Sequence, residues 1–178
     1  MSSVFAVGVG PGSKNYITET VKEIILNADV VVGYQYTLNT ITDLIKDKKV
    51  HVITMANQEK IYQEIKKGLG DKVLVVPFTG DVNFSESEVV DRLVEIFGGV
   101  EIIPGISSVQ VAASKAKIPI DKSKVITMHV TTSIEEKKFQ FGVVQDWVKY
   151  PLSAPTKFLK VDWSGLVKYI KDRQIVTK

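Results

Sequence analysis

"VFAVGVGPGSKNYITETVKEIILNADVVVGY", residues 4–34, carries the reading of the fold. An apolar run, residues 4–9, enters a glycine-rich turn. The chain leaves that turn into a segment with Ile17, Val21, Ile24 and Ile25 on one helical face. A second apolar run, residues 29–32, follows. Strand, tight turn, amphipathic helix and strand are the outline of a nucleotide-binding βαβ unit. The open question is which ligand such a turn would serve.

The same rhythm continues outward. Residues 50–53, 72–77 and 100–103 are further apolar runs, each nearly continuous. That pattern predicts strands covered on both faces. Ile61, Ile65 and Leu69 share a helical face, and Val89, Val90, Leu93 and Phe97 line another, with Gly98-Gly99 as its stop. The alternation predicts an α/β fold with a mainly parallel sheet and helices on both of its faces. Ser107 is the expected N-cap of a helix reaching about Ala116, ended by Ile118-Pro119. Residues 125–130 read as another strand, and Leu166, Val167 and Ile170 as a last helix. The expected organisation is an N-terminal α/β domain over 1–115 and a smaller, reduced C-terminal α/β domain over 122–178.

Composition narrows the chemistry. The 178 residues suffice for one large domain or two small ones, and 44% hydrophobic with 24% charged residues is ordinary for a globular protein. With no cysteine there is no disulfide framework, thiolate metal site or cysteine nucleophile. That fits a reducing compartment, and a cytoplasmic location is expected. No basic stretch followed by an apolar run marks a signal peptide, and no apolar run approaches the roughly 20 residues of a membrane span. The net charge of +3 is spread along the chain. It tolerates an acidic ligand but is not the dense basic face that nucleic acid requires. No nucleic acid, membrane or metal partner is expected.

A dinucleotide fingerprint requires G-x-G-x-x-G/A and an acid at the end of the second strand. Gly8 and Gly10 fit, but the third position is Ser13, Gly12 falls one residue early, and Pro11 fixes φ within the turn. The second strand ends Val32-Gly33-Tyr34-Gln35 without an acid, and Asp29 precedes it. No Gly-Lys-Ser/Thr follows for a P-loop. A plain strand-to-helix turn and a different ligand both remain open. Thr79-Gly80-Asp81 lies just past the carboxyl end of an apolar strand, where ligands of open α/β sheets gather. Gly80 lets backbone approach a ligand closely. Asp81 suits either a hydroxyl or amine acceptor or a turn carboxylate. Pro104-Gly105-Ile106-Ser107-Ser108 repeats the placement, with hydroxyls that cap a helix, contact a ligand, or both.

Taken in order, Val7-Gly8-Val9-Gly10-Pro11-Gly12, the ADVVVG run at residues 28–33, Thr79-Gly80-Asp81 and Pro104-Gly105-Ile106-Ser107-Ser108-Val109-Gln110 resemble the successive signatures of the tetrapyrrole methylases. The wording at residues 106–110 and Ile126-Thr127-Met128-His129 is most similar to the cobalamin-pathway subgroup of precorrin-6Y methylases, or cobalt-precorrin-7 C5-methyltransferases. Val82 and Asn83 stand where that family usually has proline after the aspartate.

The resemblance implies an S-adenosylmethionine-dependent C-methyltransferase of two α/β domains. The cofactor would lie in a cleft and a corrinoid in an adjoining trough, with methylation at C5. It assigns cofactor contacts to Pro11, Gly80, Asp81, Phe84, Ser107 and Ser108. Gly10 and Gly12 would keep the trough floor low for a flat macrocycle. It also implies a homodimer, and a separate decarboxylating activity as a partner. Phe84 and Tyr34 are aromatic candidates beside a sulfonium, and Lys14, Lys115 and Lys117 are candidate partners of substrate carboxylates. His129 suits a general base by its near-neutral titration, yet also suits an ordinary strand position. His51, at the start of a strand, favours a structural role, and no catalytic base is assigned. Other readings are a methylase of another tetrapyrrole or of a diphthamide precursor, and a non-catalytic member that binds a partner or ligand.

Overall fold

A computed structural model describes residues 3–84 and 86–122. Five strands, β1 (Ser3–Gly8), β2 (Val30–Tyr34), β3 (Lys49–Ile53), β4 (Val73–Phe78) and β5 (Glu101–Ile103), form one sheet in the order β3-β2-β4-β1-β5. Every pairing is parallel, with Ala6 of β1 beside Val76 of β4 and Ile102 of β5. Five helices accompany them: α1 (Glu19–Leu26), α2 (Gln35–Thr40), α3 (Gln58–Gly68), α4 (Ser87–Phe97) and α5 (Ser108–Ala116).

The two-residue period of the strands feeds a core on each face. Ala6, Val32, Leu74 and Val76 pack with Tyr62 and Ile65 of α3 and Leu93 of α4. Val7, Val31 and Val75 pack on the opposite face with Val21 and Ile25 of α1 and Leu38 of α2. Side chains of this size contribute about 1.5–3 kcal/mol each when fully buried. The central strands are therefore the most firmly specified part of the sequence. Local chemistry fixes the helix ends. Thr18 Oγ1 accepts from Val21 N at 3.4 Å to start α1, and Gly98, at φ +84°, ends α4 in the left-handed conformation that favours glycine.

Three differences from the sequence expectations have physical causes. The edge strands are not covered on both faces: Val50 and Val52 of β3 are 37% and 43% exposed, and Ile102 of β5 is 39% exposed. An edge strand lies at the margin of the helical layers, so a continuous apolar run need not mean two-sided burial. The second strand runs one residue later at its start and two at its end than expected. Asp29 precedes it as a fastener, accepting from Val73 N through Oδ2 at 2.8 Å while its own amide donates to Val73 O at 3.0 Å. The short helix α2 was not foreseen, since six residues hold too few turns to show a period. The turn after Asp81 closes without the proline usual in the family, with Phe84 N donating to Asp81 O at 3.0 Å and Val82 buried in the core.

The chain divides into two units, Met1–Val111, which holds all five strands, and Ala112–Lys178. The strand expected at 125–130, His129, the helix at Leu166, Val167 and Ile170, and nearly all of the domain expected over 122–178 lie outside the described residues.

Candidate functional site

The loops after β1, β4 and β5 leave adjacent strands at their carboxyl ends. The chain goes from β1 to α1 on one face and from β4 to α4 on the other. Neighbouring strands whose connections part in this way make the crevice where open α/β sheets hold ligands.

Glycine backbone forms the floor of that crevice. Val9 N donates to Phe78 O at 2.8 Å, after which Gly10 and Gly80 exchange two bonds, Gly10 N to Gly80 O at 3.1 Å and Gly80 N to Gly10 O at 2.8 Å. Both residues sit at φ +78°. The third loop packs into this bridge without a side chain between: a Cβ on Gly105 would stand 2.3 Å from Gly80 O and 2.4 Å from Gly8 O. A Cβ on Gly8 would meet Gly80 O and Gly105 N, both at 2.6 Å. Gly8 and Gly105 therefore bind the three loops together, a role the sequence reading did not assign them. Its only signal was a glycine at or just beyond the end of an apolar strand.

The proposed substrate glycines differ from each other. A Cβ on Gly10 would stand 2.7 Å from Tyr16 O, so the loop's own packing already requires glycine there. Gly12, at φ +108°, has nothing within 4 Å on that side, and Pro11 between them is half-buried.

Asp81 joins two loops through a single oxygen. Its Oδ1 accepts from Asn83 N at 3.1 Å, Asn83 Nδ2 at 3.2 Å and, more weakly, Gly105 N at 3.5 Å. The first of these is an Asx-turn, so the turn-carboxylate reading of the sequence holds for this oxygen. Among the described residues no donor reaches Oδ2. Phe84 follows in the same turn and is 38% exposed.

Ser107 is 8% exposed and begins α5 with a reciprocal capping box. Gln110 N donates to Ser107 Oγ at 3.3 Å, and Ser107 N donates to Gln110 Oε1 at 2.8 Å. Ser108, half-buried, is the first residue of the helix. The capping role expected of Ser107 is thus fulfilled, and its hydroxyl is already engaged.

The expected rim cations fall in different units of the chain. Lys14 pairs with Asp43, and that hydrogen bond and charge hold the Asp43 carboxyl below its ordinary pKa. Both groups are well exposed, so the pair contributes little stability. Lys115 and Lys117 belong to the second unit, where Lys117 has φ +57°. Tyr34 lies at the end of β2, the strand next to β4, whose following loop carries Gly80, and burial raises its pKa, with Tyr36 and Glu86 acting in the same direction. Among the described residues no group of three or more His, Asp or Glu side chains is arranged to hold a metal ion, and no helix is long and apolar enough to cross a membrane.

The site residues fit the methyl donor that the resemblance implied. Among the described residues no donor reaches Asp81 Oδ2, Phe84 is a partly exposed aromatic of the kind that suits a cation, and the glycine floor lets backbone come close. These features together define a doubly wound α/β domain with a crevice at the carboxyl edge of its sheet.

The chain belongs to the tetrapyrrole (corrin/porphyrin) methylase family, whose model matches residues 3–150. It is 34% identical over 130 residues to the probable cobalt-precorrin-7 C(5)-methyltransferase of Methanocaldococcus jannaschii, an alignment covering 71% of this chain and 60% of that protein. It is 30% identical over 156 residues to the cobalamin biosynthesis protein CbiHC of Archaeoglobus fulgidus, covering 82% of this chain and 34% of that one. Among solved structures, the precorrin-6Y methylase of Archaeoglobus fulgidus superposes with a TM-score of 0.54 at 26% identity, over 70% of this chain and 63% of the other. The methyltransferase CobJ superposes with a TM-score of 0.65 over 97% of this chain and 76% of its own, and at 18% identity it speaks for the fold. The chain thus spans 60% of the first of these curated relatives and 34% of the second.

Proposed function

We propose that this chain is an S-adenosylmethionine-dependent C-methyltransferase acting on a corrinoid intermediate of cobalamin biosynthesis, at C5. The observation that carries the reading is the junction of Gly8, Gly10, Gly80 and Gly105 at the carboxyl edge, with Asp81 and Phe84 beside it, in a chain 34% identical to a probable C5-methyltransferase. S-adenosylmethionine would supply a methyl group on a sulfonium, open to in-line attack by an electron-rich ring carbon with the neutral thioether S-adenosylhomocysteine as the leaving group.

The chain's own contribution is binding and alignment. Asp81 Oδ2 accepts from a donor hydroxyl or amine while Oδ1 holds the second loop against the third. Phe84 presents a ring face to positive charge. Gly80 lets its own loop's backbone come near the cofactor, and Ser107, Ser108 and Pro11 complete the surround. Gly10 keeps the first loop low by letting it fold onto Tyr16, and Gly12 keeps it free of a side chain beneath a flat macrocycle. Holding reacting groups in line at van der Waals range accounts for much of such a barrier reduction, about 7–11 kcal/mol in well-oriented systems. Residues 1–115 form the domain that carries these loops, residues 122–178 form a smaller α/β domain, and the protein works as a cytoplasmic homodimer. A separate protein carries out any decarboxylation of the same substrate.

A second acceptor is favoured by one observation. The cobalt-factor III methyltransferase of Priestia megaterium aligns over 82% of this chain at 26% identity, so methylation of a different carbon of the macrocycle is the alternative. Incubation with methyl-labelled S-adenosylmethionine and cobalt-precorrin acceptors, followed by carbon NMR of the product, tests both. Label at C5 supports the proposal, label elsewhere moves it to the alternative, and no labelled product with any acceptor overturns it.

A further inference from the structure

A group of large side chains gathers at the carboxyl ends of β2 and β3, away from the glycine junction. The Tyr34 and Tyr36 rings stack with centroids 5.6 Å apart and planes inclined by 16°. Tyr34 Oη lies 3.0 Å from Gln58 Oε1 and 3.0 Å from Met55 Sδ. Gln58 is buried at 6% exposure, so it anchors the phenol from below. Yet Tyr36 and Met55, which flank the anchored ring, are 62% and 77% exposed.

Single exposed apolar side chains need no explanation, but these are neighbours held by specific contacts. An aromatic stack fixed by an internal hydrogen bond loses little rotamer freedom when a ligand settles on it. Aromatic faces and thioether sulfur both favour contact with a conjugated ring. The group also stands on the edge of the sheet where ligands bind. Thr37 Oγ1, 3.0 Å from Thr79 Oγ1, ties α2 to the loop that carries Gly80 and Asp81. β2 adjoins β4 and β4 adjoins β1, so the Gly10–Gly80 bridge lies one to two strand spacings, about 5–10 Å, from the stack. A flat tetrapyrrole spans that distance.

We propose that Tyr34, Tyr36 and Met55 form a stacking platform for the conjugated face of the tetrapyrrole, fixing its orientation over the glycine junction. This assignment rests on the methyltransferase reading of the carboxyl edge. Tyr36 touches the macrocycle, whereas Gln58 positions Tyr34 and touches nothing that reacts.

The test uses the full chain and two independent probes. Uroporphyrin I, a flat tetrapyrrole octacarboxylate, is titrated by its Soret absorbance, and S-adenosylhomocysteine by calorimetry. Tyr36→Ala should weaken uroporphyrin at least about tenfold, as loss of one stacking ring does elsewhere. Tyr36→Phe, which keeps the ring, should bind within about twofold of wild type. S-adenosylhomocysteine affinity and melting temperature should not change in either variant, because Tyr36 is exposed. Uroporphyrin affinity unaltered by Tyr36→Ala overturns the platform and leaves the methyltransferase reading standing, as does wild type that binds S-adenosylhomocysteine but no uroporphyrin. Failure of folded wild type to bind S-adenosylhomocysteine overturns the methyltransferase reading itself, and the platform with it.

Discussion

Gly105→Ala is the sharpest perturbation of the junction. The new Cβ would be placed 2.3 Å from Gly80 O, 2.4 Å from Gly8 O and 2.6 Å from Gly8 C, all inside the 3.0 Å that real Cβ atoms almost never breach. Each obstructing atom is backbone, so no side chain can rotate away. The third loop must separate from the other two, and the weak bond from Gly105 N to Asp81 Oδ1 is lost with it. Overpacking of this kind costs about 1–3 kcal/mol where side chains can yield. With backbone on every side the upper figure, about 3 kcal/mol, is expected. For a chain of this size that lowers the melting temperature by about 6–12 °C. Gly68→Ala provides the internal control. It sits in the last turn of α3 with nothing within 4 Å of the added carbon, so it should raise stability by about 0.5–1 kcal/mol. Thermal melts of both variants beside wild type decide the matter. A Gly105→Ala protein that melts within about 2 °C of wild type would refute the close-packed junction.

Other outcomes follow from single residues. Tyr62 is fully buried and its hydroxyl has no partner among the described residues. Tyr62→Phe should therefore leave urea stability unchanged or raise it by about 1 kcal/mol, and a loss above about 1 kcal/mol would mean the hydroxyl is bonded. Ser107→Ala removes one half of the capping box and should cost about 1 kcal/mol, with Ser107→Asp restoring most of it. Burial, then Lys49, hold the His51 imidazole below its ordinary pKa against the opposing pull of Glu64. The unfolded chain then takes up that proton first, so the stabilisation is whole above about pH 6.5 and is lost as the pH falls through the folded value. Urea midpoints between about pH 8 and pH 5 should fall further for wild type than for His51→Gln, and equal falls would contradict the assignment. Lys14→Ala should leave the melting temperature of wild type unchanged, since both Lys14 and its partner Asp43 are well exposed.

The central sheet was legible because its physics is local. Residues such as Val31, Val75 and Val76 are apolar in unbroken runs, and only a strand buried on both faces requires that. The α4 stop at Gly98 and the α5 start at Ser107 were legible for the same reason, as one residue supplies each. The edges were not: Val50 and Val52 read like core positions, and only the strand order shows that β3 is an edge. In the candidate site, Gly80, Asp81 and Ser107 could be located from their place after strands. The turn that Asp81 Oδ1 makes with Asn83 was legible because it is local, but its bond from Gly105 N was not, because that loop arrives only through the pairing of β4 with β1 and β1 with β5. The Tyr34–Tyr36 stack on Gln58 was hidden similarly, since Gln58 reaches Tyr34 from the start of α3 only once β2 and β3 lie side by side.

Calorimetric titration of the folded chain with S-adenosylhomocysteine, run beside Asp81→Asn, tests the account most directly. The substitution keeps an oxygen for Asn83 and Gly105 and replaces Oδ2 with a donor. The account predicts micromolar binding by wild type, an unchanged melting temperature in the variant, and at least about tenfold weaker binding there. A wild-type protein that is folded and binds no S-adenosylhomocysteine would contradict it.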